Sequence, residues 1–243
     1  MLDQFDITGE ALGPPRRIWV QPALAAQAVD CLIFLDAELY IQGVQAPTVL
    51  ADLQRAGDLP AAAAVYLSQR DVLARADDFT CNHAFGCFVA TDLRHWIKQT
   101  VGSFERHFLC GLSLSGLAAM FAALRHPAAF CGVLAQSPSA WWDDERLANS
   151  LTSNMRCCSR VWISVGDQEL QENVLHSPVG LFQKASQRES VRRLAQKLEG
   201  VCQEVHYEEF RGGHDMACWA AELPLALQWL MQKTMSEGIG SPG

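Results

Sequence analysis

The chain has 243 residues, 49% hydrophobic and 19% charged, enough apolar surface for one packed domain. A formal net charge of -8 argues against a basic face for nucleic acid, and no apolar run is long and unbroken enough to span a membrane. The opening Met-Leu-Asp-Gln-Phe-Asp lacks the basic and apolar segments of a secretion signal. With nine cysteines, an odd number, and no C-x-x-C, it points to reduced thiols and a cytoplasmic location.

Residues 1–15 end in Gly-Pro-Pro and read as a loose lead-in. Residues 16–20 and 31–36 are strands, the second apolar almost throughout, as a central strand should be. Residues 47–55 have helical composition, with Pro47 in the first turn and Gly57 as a stop. Residues 62–67 form a third central strand, and residues 85–101 read as one amphipathic helix. A short apolar run, 106–109, leads into Cys110-Gly111-Leu112-Ser113-Leu114-Ser115-Gly116, and residues 117–124 are strong helix formers. Further strands follow at 131–135 and 160–165, the latter ending at Gly166-Asp167-Gln168-Glu169. Residues 186–198 form a charged helix, with Ser186 and Glu189 at capping-box spacing. A last strand, 205–210, runs into Arg211-Gly212-Gly213-His214-Asp215 and a helix to about Lys233, bent near Pro224. The tail, 234–243, reads as disordered, which leaves a single domain over 16–233.

Strands alternate with helices throughout, so the expected fold is α/β, a doubly wound and mostly parallel sheet flanked by helices. Ligands bind such sheets at the carboxyl ends of the strands. Three polar clusters fall there: Ser113, then Asp167 and Glu169, then His214. The order Ser, acid, His is that of the α/β-hydrolase fold. A strand, a sharp turn and a helix around Ser113 place its hydroxyl at the turn apex, beside the N–H groups of the helix start. His214 is the candidate base, brought over the turn by Gly212 and Gly213. The oxyanion hole is expected from the N–H of Leu114 and an N–H of the turn at Ala37. Cys81, His83 and Cys87 lie close together, but irregularly and without a second ligand pair, so neither a metal nor another cofactor is expected.

Several strings carry a family resemblance. They are CGLSLSGL at 110–117, the RHPAAF context of His126-Pro127, QSPSAWW at 136–142, GGHD at 212–215 with Cys218-Trp219, RADDFTCN at 75–82, and Leu35-Asp36-Ala37-Glu38. Together, over about residues 16–230, they resemble the esterase D superfamily of α/β-hydrolases, and within it the enterochelin (siderophore) esterase branch. The departures are Ser115 in place of a glycine, Ala37 in place of the glycine of L-D-G-E, and Asp78-Phe79 in place of Glu-Leu. The resemblance implies a serine esterase acting on a small acyl ester or lactone, siderophore-like or otherwise aryl-bearing, through an acyl-enzyme on Ser113. It favours Glu169 as the triad acid, with Asp167 the alternative and a bare Ser/His pair a third possibility. It also implies a substrate cleft lined by Arg75 and Asn82, although Arg75 could instead pair with Asp77 or Asp78. Trp141 and Trp142 are either an aromatic wall for an aryl group or core. The expected partner is a small-molecule ester, with no nucleic acid and no membrane; the oligomeric state is not fixed. The same Ser/His site could serve an acyltransferase or thioesterase, and a broken triad would instead mean a non-catalytic binding module.

Overall fold

The computed structural model describes residues 2–8, 15–25 and 27–232. In chain order the strands are β1 (Asp3–Ile7), β2 (Arg16–Gln21), β3 (Asp30–Leu35), β4 (Ala62–Leu67), β5 (Arg106–Leu112), β6 (Gly132–Gln136), β7 (Arg160–Gly166), β8 (Val174–His176), β9 (Leu181–Gln183) and β10 (Glu204–Phe210). The helices are α1 (Ala46–Ala56), α2 (Val72–Phe79), α3 (His83–Ala90), α4 (Asp92–Thr100), α5 (Ser113–Arg125), α6 (Trp142–Ser150), α7 (Gln187–Leu198) and α8 (Met216–Met231). One sheet runs in the order β1-β2-β4-β3-β5-β6-β7-β10. It is parallel from β4 to β10, with β2 antiparallel to β4 and β1 antiparallel to β2.

Every position of β3 and β4 is buried, as expected of strands covered on both faces. The side-chain alternation of a strand sorts their residues into two cores. Cys31, Ile33 and Leu35 join Leu109, Val133 and Ile163 on one face, under α3 and α5; Leu32 and Phe34 join Leu134 and Trp162 on the other, under α1 and α8. Each fully buried apolar side chain contributes roughly 1.5–3 kcal/mol. Local signals set the helix ends. Asp71, Asn82, Ser186 and Asp215 accept backbone N–H groups as N-caps, and Gly57 stops α1 at φ 81°. Pro224 lies inside α8 as expected, while the end foreseen near Lys233 and the tail 234–243 fall outside the described residues.

The structure adds helices α2 and α6, which the sequence reading does not foresee, and departs from it at three further places. The lead-in contains a strand: β1 pairs with β2, Phe5 opposite Ile18, because one side of β2 would otherwise be an open edge. The helix expected over 85–101 is two helices, broken at Thr91, whose hydroxyl donates back to the Cys87 carbonyl at 2.7 Å. The stretch between β7 and α7 folds into the antiparallel β8–β9 hairpin, with His176 opposite Leu181. No helix among the described residues is long and apolar enough to cross a membrane.

Candidate active site

β5 ends in the sharp turn at Ser113, whose φ of 52° puts a non-glycine residue in the left-handed region. The turn is possible because Gly111 carries no side chain: a Cβ there would lie 2.2 Å from the Ser115 carbonyl oxygen. Gly116 makes a second close approach, its Cβ position lying 3.2 Å from the Pro138 backbone. Ser115, where the family pattern has glycine, is fully buried and closes the turn. Its Oγ accepts from the Leu112 N–H at 3.0 Å and donates to the Leu112 carbonyl at 2.8 Å. The turn therefore demands glycine at 111 and 116, and at the fully buried position 115 a residue no larger than serine fits.

β7 ends at Gly166 and β10 at Phe210, and their following loops are laced together. Asp167 Oδ1 accepts from the Gly212 N–H at 2.9 Å, and the Gln168 N–H donates to the Gly212 carbonyl at 2.9 Å. A Cβ on Gly166 would lie 2.4 Å from that same carbonyl oxygen. This close approach carries His214 over the Ser113 turn. His214 Nε2 lies 2.9 Å from Ser113 Oγ, and Nδ1 lies 2.6 Å from Glu169 Oε2. With Nδ1 protonated, the ring donates to Glu169 and accepts from the Ser113 hydroxyl. Of the two candidate acids, Glu169 meets the histidine and Asp167 holds the loops together.

Glu169 is buried and takes two further hydrogen bonds on Oε1, from the Ser137 hydroxyl at 2.6 Å and from the Gly166 N–H at 2.7 Å. Ser137 in turn accepts from Trp219 Nε1 at 3.0 Å, and the Trp219 ring packs edge-on against His214, centroids 4.8 Å apart. The sequence reading assigned no role to Ser137 or Trp219. Their signals were a serine directly after β6 and a tryptophan one turn after the histidine loop.

A cavity of about 360 Å³ opens at Ser113 and His214. Leu114 lines it from the first turn of α5, where backbone N–H groups have no partner within the helix. Ala37 is fully buried in the turn after β3, the strand beside β5, so both expected oxyanion segments leave adjacent strands at one edge. Trp141 is buried in the cavity wall, its indole N–H bound by Gln187 Oε1, and His176 of the β8–β9 hairpin stacks on it at 4.9 Å and 7°. Trp142 does not join it. It lines a separate depression with Cys81, His83 and Phe121, because it starts α6 and turns away.

Arg75 lines the cavity but is engaged on its inner side: Nε and Nη2 donate to Asp36 at 2.8 and 2.6 Å. The partner is thus neither Asp77 nor Asp78; Asp78 pairs instead with Arg16 at 2.7 Å. Burial pushes the Asp36 carboxyl above the usual carboxylate range, and Arg75 opposes that rise. Asn82 lies away from the cavity lining and serves α3 as its N-cap, accepting from the Phe85 N–H at 3.1 Å and donating to the Asp77 carbonyl at 3.2 Å. Among the described residues no group of three or more His, Cys, Asp or Glu is placed to hold a metal ion.

The parallel sheet, its sharp serine turn and the ordered strand-end loops define an α/β-hydrolase. The Esterase family model matches residues 9–230, and the chain belongs to that family. It is 26% identical over 242 residues to an iron(III) enterobactin esterase of Dickeya dadantii (strain 3937), covering 95% of this chain and 55% of that protein. The structure of the enterobactin esterase FES from Shigella flexneri in the presence of 2,3-di-hydroxy-N-benzoyl-serine superposes with a TM-score of 0.80 at 24% identity, covering 93% of this chain and 58% of that one. The siderophore hydrolase EstB from Aspergillus nidulans shares the fold at a TM-score of 0.72 and 16% identity, each chain 95% covered. The chain spans about half the length of the curated enterobactin esterases it matches.

Proposed function

We propose that the chain is a serine esterase that hydrolyses a small siderophore-type or other aryl-bearing ester. The observation that carries this reading is the continuous line Glu169–His214–Ser113, at 2.6 and 2.9 Å, opening onto a cavity walled by Trp141 and His176. Ser113 Oγ attacks the ester carbonyl while its proton passes to His214 Nε2. Glu169 holds the ring in the right tautomer and faces the imidazolium as it forms. The N–H groups of Leu114 and Ala37 take the oxyanion. His214 then protonates the leaving alkoxide, and the ester C–O bond breaks to leave acyl-Ser113. Water adds to the acyl carbon, giving its proton to His214. Collapse frees the carboxylic acid, and the proton returns to Ser113.

The names of the relatives, iron(III) enterobactin esterase among them, support the siderophore-type substrate. The stacked Trp141–His176 pair supports an aryl group beside the scissile bond. An odd count of nine cysteines with no C-x-x-C pair supports a reducing, cytoplasm-like location. The test is a panel of esters with product analysis, with and without an added amine or alcohol. Aryl and catechol-bearing esters should exceed acetate esters in kcat/KM, releasing free acid. Trp141→Ala and His176→Ala should raise KM for the aryl esters alone. Acetate esters turning over fastest would remove the aryl reading, and acyl transfer outrunning hydrolysis would make the protein an acyltransferase.

A further inference from the structure

Glu222 is a buried carboxylate that takes no part in the chemistry at Ser113. It lies on the packing face of α8, one turn after Trp219, where an apolar side chain would fill the space without the cost of burying a charge. Both of its oxygens accept: Oε1 from the Trp162 indole N–H at 2.6 Å, and Oε2 from Gln136 Nε2 at 2.8 Å. Burial pushes its carboxyl above the usual range, and these two donors oppose the rise.

Gln136 is the last residue of β6. It lies opposite Ser164 on one side and, on the other, opposite Leu112, the residue before Ser113. Its side chain is fully buried and held at both ends of the amide. Nε2 also donates to the Trp219 carbonyl at 3.0 Å, and Oε1 accepts from the Tyr40 hydroxyl at 3.2 Å. The chain then turns sharply. Ser137 takes a φ of 41°, left-handed for a non-glycine residue, a conformation that persists only where the surroundings fix it. Gln136 thus anchors the backbone that presents the Ser137 hydroxyl. Through the Trp219 carbonyl it also anchors the residue whose indole donates to that hydroxyl at 3.0 Å.

We propose that Gln136 and Glu222 are positioning residues for the triad acid, a buried clamp between β6 and α8 that aims the Ser137 hydroxyl at Glu169. The clamp rests on the Glu169–His214–Ser113 line of the proposed esterase. Neither residue lines the cavity at Ser113, so both act through Ser137 and Trp219. Glu222 sets which way the Gln136 amide faces. An amide at 222 has one accepting oxygen and one NH2 group. With its oxygen on Trp162, its NH2 meets the Gln136 NH2. Every buried donor then stays paired only if Gln136 turns its amide over, which takes Nε2 off the Trp219 carbonyl.

The test is the rate of fluorophosphonate labelling at Ser113, with kcat and KM for an aryl ester. It uses the full chain as wild type, Glu222→Gln, Ser137→Ala and the double variant. Glu222→Gln should lower labelling rate and kcat together, by about three- to tenfold at unchanged KM. In the Ser137→Ala background the same change should alter either by less than about twofold, because the route to Glu169 is already cut. A purely structural role would lower the melting temperature in both backgrounds and show no such dependence on Ser137. Tyr40→Phe removes only one hydroxyl from Gln136. It should lower kcat about two- to threefold, again only while the Ser137 hydroxyl is present, and it decides the outcome if Glu222→Gln does not fold. An undiminished rate in folded Glu222→Gln, or in Tyr40→Phe where that variant alone folds, would overturn the clamp. So would an equal fall with and without the Ser137 hydroxyl. A wild type that does not label at Ser113 would instead overturn the esterase reading, and the clamp with it.

Discussion

Replacing Glu169 by Gln separates a working triad from a Ser/His pair. The carboxylate accepts three bonds, from His214 Nδ1 at 2.6 Å, Ser137 Oγ at 2.6 Å and the Gly166 N–H at 2.7 Å. An amide of the same shape has one accepting oxygen. Its NH2 must face either His214 or the Ser137 and Gly166 donors. If it faces His214, Nδ1 becomes the acceptor and Nε2 carries the proton, so the ring cannot take the Ser113 proton. If it faces Ser137 and Gly166, buried donors confront a donor, at about 1–3 kcal/mol of folding stability. Either way the imidazolium loses its counter-charge. Loss of tautomer control and charge together amounts to roughly 10²- to 10⁴-fold in kcat, or about 3–5.5 kcal/mol in the barrier. The assay is kcat for an activated aryl ester, on protein shown to be folded by its thermal transition. Asp167→Asn, which leaves an acceptor for the Gly212 N–H, should cost far less. A folded Glu169→Gln enzyme within about tenfold of wild type (under about 1.4 kcal/mol) would refute the role of Glu169 and leave Ser113 and His214 working as a pair.

Ser137→Ala removes one donor from Glu169 and the acceptor of Trp219 Nε1. It should lower kcat about tenfold at unchanged KM, and an unchanged kcat would count against Ser137 as a support of Glu169. Arg75→Ala strands the fully buried Asp36 charge, so the melting temperature should fall in line with a loss of about 3–5 kcal/mol, whatever its effect on substrate; an unchanged thermal transition would count against the ion pair. Burial would raise the Glu209 carboxyl, yet hydrogen bonds from Tyr207, Arg192 and Arg188 hold it down to about 2, against 4.5 for the free group. Its stabilisation is therefore complete above the free-group value and lost as pH falls from there through about 2, so the Tm deficit of Glu209→Gln should shrink over that range.

Much of this was legible because the signals are local. The apolar runs of β3, β5 and β7, the turn at Ser113 and the Gly212-Gly213 loop each declare themselves within a few residues, and chain order then fixes which strand ends carry the serine, acid and histidine. What was not legible depends on contacts between distant segments. β1 exists because β2 needs a partner, which nothing in Asp3–Ile7 announces. Three-residue strands such as β8 and β9 are shorter than any periodicity, so His176 was invisible until the hairpin laid it on Trp141. Asn82 reads equally well as a cleft residue or a cap, and only the Phe85 N–H beside it decides. Arg75 looked to its sequence neighbours for a partner and found Asp36, 39 residues away.

The central claim is that Ser113 is the nucleophile. The direct measurement is fluorophosphonate labelling read by intact mass and peptide mapping, on wild type, Ser113→Ala, Ser115→Ala and Ser115→Leu. The account predicts a single adduct on Ser113, none in Ser113→Ala, and retained labelling in Ser115→Ala, which gives up only the two local bonds to Leu112. Ser115→Leu should fail, since a fully buried position under the turn cannot take the added volume. An adduct on Ser115, or labelling that survives Ser113→Ala, would contradict the assignment and the geometry built on it.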